Sequence, residues 1–194
     1  RLRDIAEAAG MSPASVLYYY PSVDRLVAEA IQHAIERFYE RRAARVETIE
    51  DPALQLATTI AAGFPTDPDD REVLLLYLAV PVIRREPAIG ALIRSLTWRQ
   101  VELYRRILEV GHAQGVFDLA DEPLTIARNI VALEDAYGLY VINGDAGMVT
   151  EGKRLTLSYA RIATRCQFPD VGSSPGGPKG SAFSGVVENT SASS

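Results

Sequence analysis

Apolar residues recur at spacings of three and four along nearly the whole chain, and alternating runs of the kind that make strands are almost absent. The pattern predicts an all-α protein with helices over about 2–9, 12–20, 23–49, 52–63, 69–85, 88–114, 122–143 and 149–167. Gly10, Pro21, Pro52, Pro65, Pro68, Pro87, Gly115, Pro123, Gly144 and Gly147 mark the joints between them, because proline and glycine punctuate helices. Pro81 lies inside the fifth segment and is expected to kink it or end it early. The stretch from Glu72 to Ile83 is apolar almost all round, which predicts burial at the centre of the body.

The end of the chain has a different character. From Pro169 onward Gly, Ser and Pro dominate, and a segment of that composition has too little apolar surface to offset the entropy of ordering it. Residues 169–194 therefore read as a disordered tail.

Composition narrows the function classes. With 194 residues and 47% apolar content the chain is long enough for a sizeable core. It carries no apolar run long enough for a membrane span and no signal-peptide pattern, so a soluble cytoplasmic protein is expected. Cys166 is the single cysteine and His33 and His112 the only histidines, so neither a disulfide nor a metal site is expected within the chain. No cofactor motif is present either. The net charge of −5 argues against a protein that simply coats nucleic acid. A small DNA-reading head on an acidic body remains compatible with it. Lys153 and Lys179 are the only lysines among the 20 basic residues, leaving arginines suited to bidentate contacts.

The richest segment is the first. Leu2, Ile5, Ala6 and Ala9 give a short helix one apolar face, and Gly10 follows as a helix stop. Ser12 suits an N-cap, Pro13 a first helical position, and Val16 with Tyr19 or Tyr20 an inner face. Two short helices meeting at a tight glycine turn are the plan of a helix-turn-helix, whose second helix enters the major groove.

The run IAEAAGMSPASVLYYYPSVDRL resembles the DNA-binding signature of TetR-family transcriptional regulators. The resemblance covers about the first 50 residues; the rest is similar in helical layout, loosely like BetI-type members. It implies a three-helix head whose first helix is missing here, the sequence starting at or just inside the second. It also implies a repressor that binds a double-stranded DNA operator of pseudo-palindromic sequence as a homodimer and is released by a small-molecule effector, with no enzymatic activity. Carried over position by position, Arg3 is placed to touch DNA, Ser12 caps the recognition helix, and Pro13, Ala14 and Ser15 form its exposed first turn. Leu17, Tyr18 and Tyr19 follow on the DNA side, tyrosine hydroxyls reaching phosphates, and Tyr20 fills a core position. Two residues depart from the family pattern. Leu17 stands where the family often has tyrosine, and Val23 where many members have a phosphate-binding lysine.

These features divide the chain into a DNA-binding domain over 1–45 that includes the start of a linker helix, a ligand-binding and dimerisation domain over 46–168, and the tail over 169–194. In the body, Phe64, Tyr77, Trp98, Tyr104, Glu134 and Tyr137 are the candidate ligand residues, with Arg99, His112 or Asp135 as further orienting polar groups. The segments Asn129–Ile142 and Leu155–Ala163 carry broad apolar faces with Ala132, Ala136, Gly138 and Ala160, which suit close helix packing; the resemblance makes them the dimer interface. Arg37, Arg41 and Arg45 recur every four residues and read as a solvated face. An enzyme using His112 with Glu109 or Asp118 lacks any supporting motif. A helical adaptor with a vestigial head is the alternative that Leu17 and Val23 leave open.

Overall fold

Local start signals place most of the helices. The computed structural model describes residues 1–78 and 87–169, and within them every regular element is helical: α1 (Leu2–Ala8), α2 (Pro13–Tyr19), α3 (Val23–Glu47), α4 (Pro52–Ala62), α5 (Arg71–Leu78), α6 (Pro87–Ala113), α7 (Pro123–Ile142) and α8 (Met148–Thr164). The side chains of Ser12, Ser22 and Asp51 accept the orphan amides of Ser15, Arg25 and Ala53 at 3.0, 3.2 and 3.1 Å, fixing the starts of α2, α3 and α4. Pro13, Pro52 and Pro123 each occupy a first helical position, where a missing N–H costs nothing. Gly10 turns the chain between α1 and α2 at φ +63°, a left-handed conformation that a side chain disfavours. Arg165 adopts φ 49° and closes α8, so that helix stops short of the expected residue 167. The expected kink at Pro81 and the expected tail beyond Pro169 lie outside the described residues.

Two apolar clusters hold the body. The larger joins α4, the C-terminal half of α6, α7 and α8 around Leu56, Ile60, Leu108, Ile126 and Ile130, and Phe117 and Phe168 close it. Each of its large aliphatic side chains contributes about 1.5–3 kcal/mol through burial. The smaller cluster packs Ile31, Ile35 and Phe38 of α3 against Val73 of α5 and Ile89 and Leu96 of α6. One expectation is corrected here. Of the stretch expected at the centre of the body, Val73 is buried but Leu74, Leu75, Leu76 and Tyr77 are only half-buried, because α5 lies on α3 as one wall of a cavity and is not surrounded by other helices. The head differs from the body: only Ala6 of α1 and Val16 of α2 are buried.

Candidate nucleic-acid interface and ligand cavity

In the head, the buried Val16 fixes which way α2 faces. Its neighbours Leu17, Tyr18 and Tyr19 then point outward, and Tyr18 and Tyr19 are 83% and 67% exposed. Their rings meet edge to face with centroids 5.2 Å apart. Large aromatic side chains so exposed carry polar hydroxyls at the tip and apolar rings beneath, the build of a contact residue. Arg3, Pro13 and Ala14 are exposed as well, and Ser15 is half-buried. Ser12 spends its hydroxyl on the cap and on a 2.8 Å hydrogen bond with the Ser15 hydroxyl, so Ser12 shapes the first turn while Ala14 and Ser15 present it. Tyr20 is half-buried.

The body holds an open cavity of about 540 Å³ walled by α3, α5, α6 and α7. Phe38 of α3, Val73 and Leu76 of α5, Ile93 and Leu96 of α6, and Leu139 of α7 make its walls largely apolar. Tyr77, Thr97, Gln100 and Asp135 supply polarity, and Gly63 and Ala136 complete the lining. Tyr77 is held in place by donating its hydroxyl to the backbone carbonyl of Asp135 at 2.9 Å. Gly138 gives it room, since a Cβ there would sit 2.5 Å from that hydroxyl. A second groove, of about 440 Å³, runs between α6 and α7 past Trp98, Arg94 and Arg128, and shares Ile93, Thr97 and Asp135 with the first.

Beneath the cavity lies a buried ion pair that sequence reasoning missed. Arg42 of α3 is 1% exposed and Glu134 of α7 is 3% exposed. Arg42 Nη2 donates to both carboxylate oxygens of Glu134 at 3.0 and 3.1 Å, to the Thr59 carbonyl at 3.0 Å and to the Tyr104 hydroxyl at 2.8 Å. Arg42 Nη1 donates to Gln100 Oε1, and Tyr104 donates its hydroxyl to Glu134. Gln100 therefore touches both the cavity and the ion pair. Burial pushes the Glu134 carboxyl up to about 7 against the opposing pull of Arg42, and pushes the Tyr104 hydroxyl well above its ordinary value. Gly63 makes the approach feasible, because a Cβ at this position would land on the Glu134 carboxylate and 2.7 Å from Arg42 Nη2. The sequence did hold a signal. Ile31, Ile35, Phe38 and Val46 mark the buried stripe of α3, and Arg42 stands within it at helical spacing, off the row of Arg37, Arg41 and Arg45.

The remaining candidate residues fall in different places. Tyr77 lines the larger cavity and Trp98 the smaller groove. Tyr104 and Glu134 belong to the ion-pair network under the floor and not to the lining. Phe64 is buried in the larger core, where Gly152 lets it close in, and Tyr137 packs against that same core with its ring 6.4 Å from that of Tyr140. Neither reaches the cavity, because their faces of the chain turn toward α8. Arg99 stacks 3.7 Å over the Tyr39 ring, and His112 bonds the Phe117 carbonyl through Nδ1 at 3.1 Å. Asp135, one of the further orienting polar groups, lines both the larger cavity and the adjoining groove. The row read as a solvated face is partly committed: Arg37 and Arg41 reach Glu72 of α5 at 3.4 and 3.2 Å. Among the described residues no group of histidine, cysteine and acidic side chains is placed to hold a metal, and no helix is long and apolar enough to cross a membrane.

No protein-family model matches the sequence, and no curated protein matches it at a significant level. Solved structures do. The chain is similar over 84% of its length, at 25% identity and a TM-score of 0.76, to 86% of a Saccharomonospora viridis protein assigned as a transcriptional regulator and solved in complex with choline. It is similar to a TetR transcription regulator from Haloarcula marismortui at 19% identity, covering 84% of this chain and 87% of that one, with a TM-score of 0.75. A TetR-family regulator from Thermus thermophilus, PfmR, aligns at 18% identity over 86% of this chain and 88% of its own, with a TM-score of 0.65.

Proposed function

We propose that this chain, which has the fold of TetR-family transcriptional regulators, is a ligand-responsive DNA-binding regulator. In this reading it works as a homodimer on a pseudo-palindromic operator and leaves it when a small molecule enters the body. The observation that carries the reading is the head: a turn-linked helix pair whose second helix buries Val16 and exposes Tyr18 and Tyr19. Inserted by its N-terminal turn into a major groove, α2 sets Ala14 and Ser15 against base edges. Leu17, Tyr18, Tyr19 and Arg3 then lie along the sugar-phosphate backbone, and Pro13 and Ser12 hold the helix start. Residues 1–45 form the DNA-binding domain with the start of the linker helix, and 46–168 the ligand-binding and dimerisation domain.

Repression needs the two heads at a fixed separation, and α3 sets it because this helix runs from the head into the body. Its buried anchor is Arg42, bound to Glu134 of α7 and to Gln100 of the cavity wall. A ligand seated against Gln100 acts on that anchor and shifts the balance between two tilts of α3 by its differential affinity for them. The α7 and α8 helices supply the dimer contact, where Tyr140 and Ile162 stand exposed; Ala132, Ala136 and Leu139 line the cavity and groove instead. Gly138 and Ala160 are buried within the protomer and serve its own packing. That the Saccharomonospora viridis neighbour holds choline supports a small molecule as the effector.

Selection of bound fragments from sheared genomic DNA of the source organism, at about 0.1 M salt, tests the reading. Enrichment of a short inverted repeat is expected. Recovery of nothing above background, with a folded protein, overturns it.

A further inference from the structure

The polar groups around the larger cavity are nearly all spoken for. Thr97 donates its hydroxyl to the Ile93 carbonyl at 3.1 Å, Tyr77 to the Asp135 carbonyl at 2.9 Å, and Gln100 accepts from Arg42 through its side-chain oxygen. Among the described residues the carboxylate of Asp135 has no hydrogen-bond or ion-pair partner, and it is the one charged side chain of those that line this cavity. The cation that bears on it is Arg42, whose guanidinium is turned to the Glu134 carboxyl. Arg94 and Arg128 stand along the adjoining groove without an ion pair to it. The described residues of the cavity thus present one negative charge, unpaired among them, in walls of apolar and aromatic side chains.

The geometry points to a small organic monocation with apolar substituents as the effector, its charged head against the Asp135 carboxylate. The proposal deepens the regulator reading and rests on this cavity being the effector site. A cation entering apolar walls loses its hydration, and only a fixed counter-charge offsets that cost. Asp135 is that counter-charge, and the Phe38 and Tyr77 rings in the same walls offer faces that attract cations. The volume of about 540 Å³ is within the usual range for a small-molecule site. An anion meets the opposite situation. It faces Asp135 with no cationic side chain among the described lining residues to pair it, and both terminal nitrogens of the guanidinium below are already engaged by Glu134, Gln100, Tyr104 and the Thr59 carbonyl. A neutral ligand can accept from the Gln100 amide or donate a hydrogen bond to Asp135, but it brings no charge to compensate the carboxylate.

Calorimetric titration of the full chain with three probes of matched tail decides the matter: hexyltrimethylammonium, hexan-1-ol and hexanoate. The ammonium is expected to bind at least about tenfold more tightly than either of the others, and Asp135→Asn to bring it down to the level of the alcohol. Asp135→Glu, which keeps the charge, should retain the preference. Circular dichroism confirms that each variant is folded, and Asn is nearly isosteric with the carboxylate it replaces. Equal affinity for the three probes, a preference for hexanoate, no saturable binding of the ammonium, or an unchanged preference in Asp135→Asn overturns the proposal. A DNA selection that yields an inverted repeat while the ammonium fails to bind sinks this inference alone. Ammonium binding without DNA enrichment sinks the regulator reading instead.

Discussion

Breaking the Arg42–Glu134 pair from its two sides should give unequal costs, because only one partner can change its charge. Glu134→Leu leaves Arg42 buried without a carboxylate, and an arginine does not shed its proton in a protein. The loss expected for an uncompensated buried charge is about 3–5 kcal/mol. Arg42→Met keeps much of the aliphatic packing and leaves Glu134 alone, but a glutamic acid can take up a proton. Burial already raises this carboxyl from 4.5 to about 7, so near neutral pH the added cost is mainly that of unmet hydrogen bonds at Gln100 and the Thr59 carbonyl, about 1–3 kcal/mol. The sign of the pH dependence follows. Without Arg42 the folded-state value moves above 7, so the folded variant holds a proton that the unfolded chain has lost. Relative to the parent, Arg42→Met should then lose stability as the pH rises above 7, by about 1.4 kcal/mol per unit at most and only up to the variant's own folded-state value. Glu134→Leu has no such slope. The double variant Arg42→Met/Glu134→Leu carries neither charge and should recover most of the stability, to within about 1–2 kcal/mol of the parent. Urea unfolding followed by circular dichroism at fixed protein concentration measures all four proteins near pH 7 and again near pH 8.5. Equal costs for the two single variants, or an Arg42→Met curve parallel to the parent with pH, would refute the reasoning.

Three further outcomes follow from the same geometry. Gly63→Ala drives a Cβ onto the Glu134 carboxylate and should destabilise the body by about 2 kcal/mol or more, seen as a drop of several degrees in Tm. Tyr18→Ala and Tyr19→Ala should each weaken DNA binding by roughly fivefold on all sequences while Ser15→Ala changes sequence preference, because the tyrosines reach backbone and Ser15 reaches bases; gel-shift titration on the selected site and on a scrambled site separates the two behaviours. Burial raises the Asp135 carboxyl to about 6 against the pull of Arg42 of α3; the other titratable or charged groups near it among the described residues are Tyr77 of α5, Glu134 of α7, and Arg94 of α6 and Arg128 of α7 along the shared groove. Hexyltrimethylammonium binding should therefore be full above about pH 6 and fall as the pH drops through that value, and a flat titration profile would remove Asp135 from the site.

What the sequence discloses depends on how local its cause is. Ser12 with Pro13, Asp51 with Pro52, and Pro123 act within one turn of the helix they start, and the ends of α2, α4 and α7 fall where those residues put them. The buried Val16 was equally legible, because a short helix has one inner face, but the spacing left open whether Tyr19 or Tyr20 joins it; Tyr20 is the half-buried one and Tyr19 is exposed. The ion pair was not, since its members lie 92 residues apart and no local rule couples them. The aromatic residues chosen for the cavity show the same limit. Phe64 and Tyr137 are apolar enough to line a pocket, yet which gap between helices they enter depends on the packing of α7 against α8. Tyr77 reaches the cavity because Gly138, on a distant helix, leaves room for it.

Hydroxyl-radical footprinting on a selected DNA fragment tests most directly the claim that two copies of α2 read successive major grooves. The account predicts two protected patches related by a two-fold axis, their centres about 10 base pairs apart or a multiple of that, both lost in Tyr18→Ala/Tyr19→Ala. A single patch, protection that spreads without symmetry, or a footprint unchanged in that double variant would contradict it.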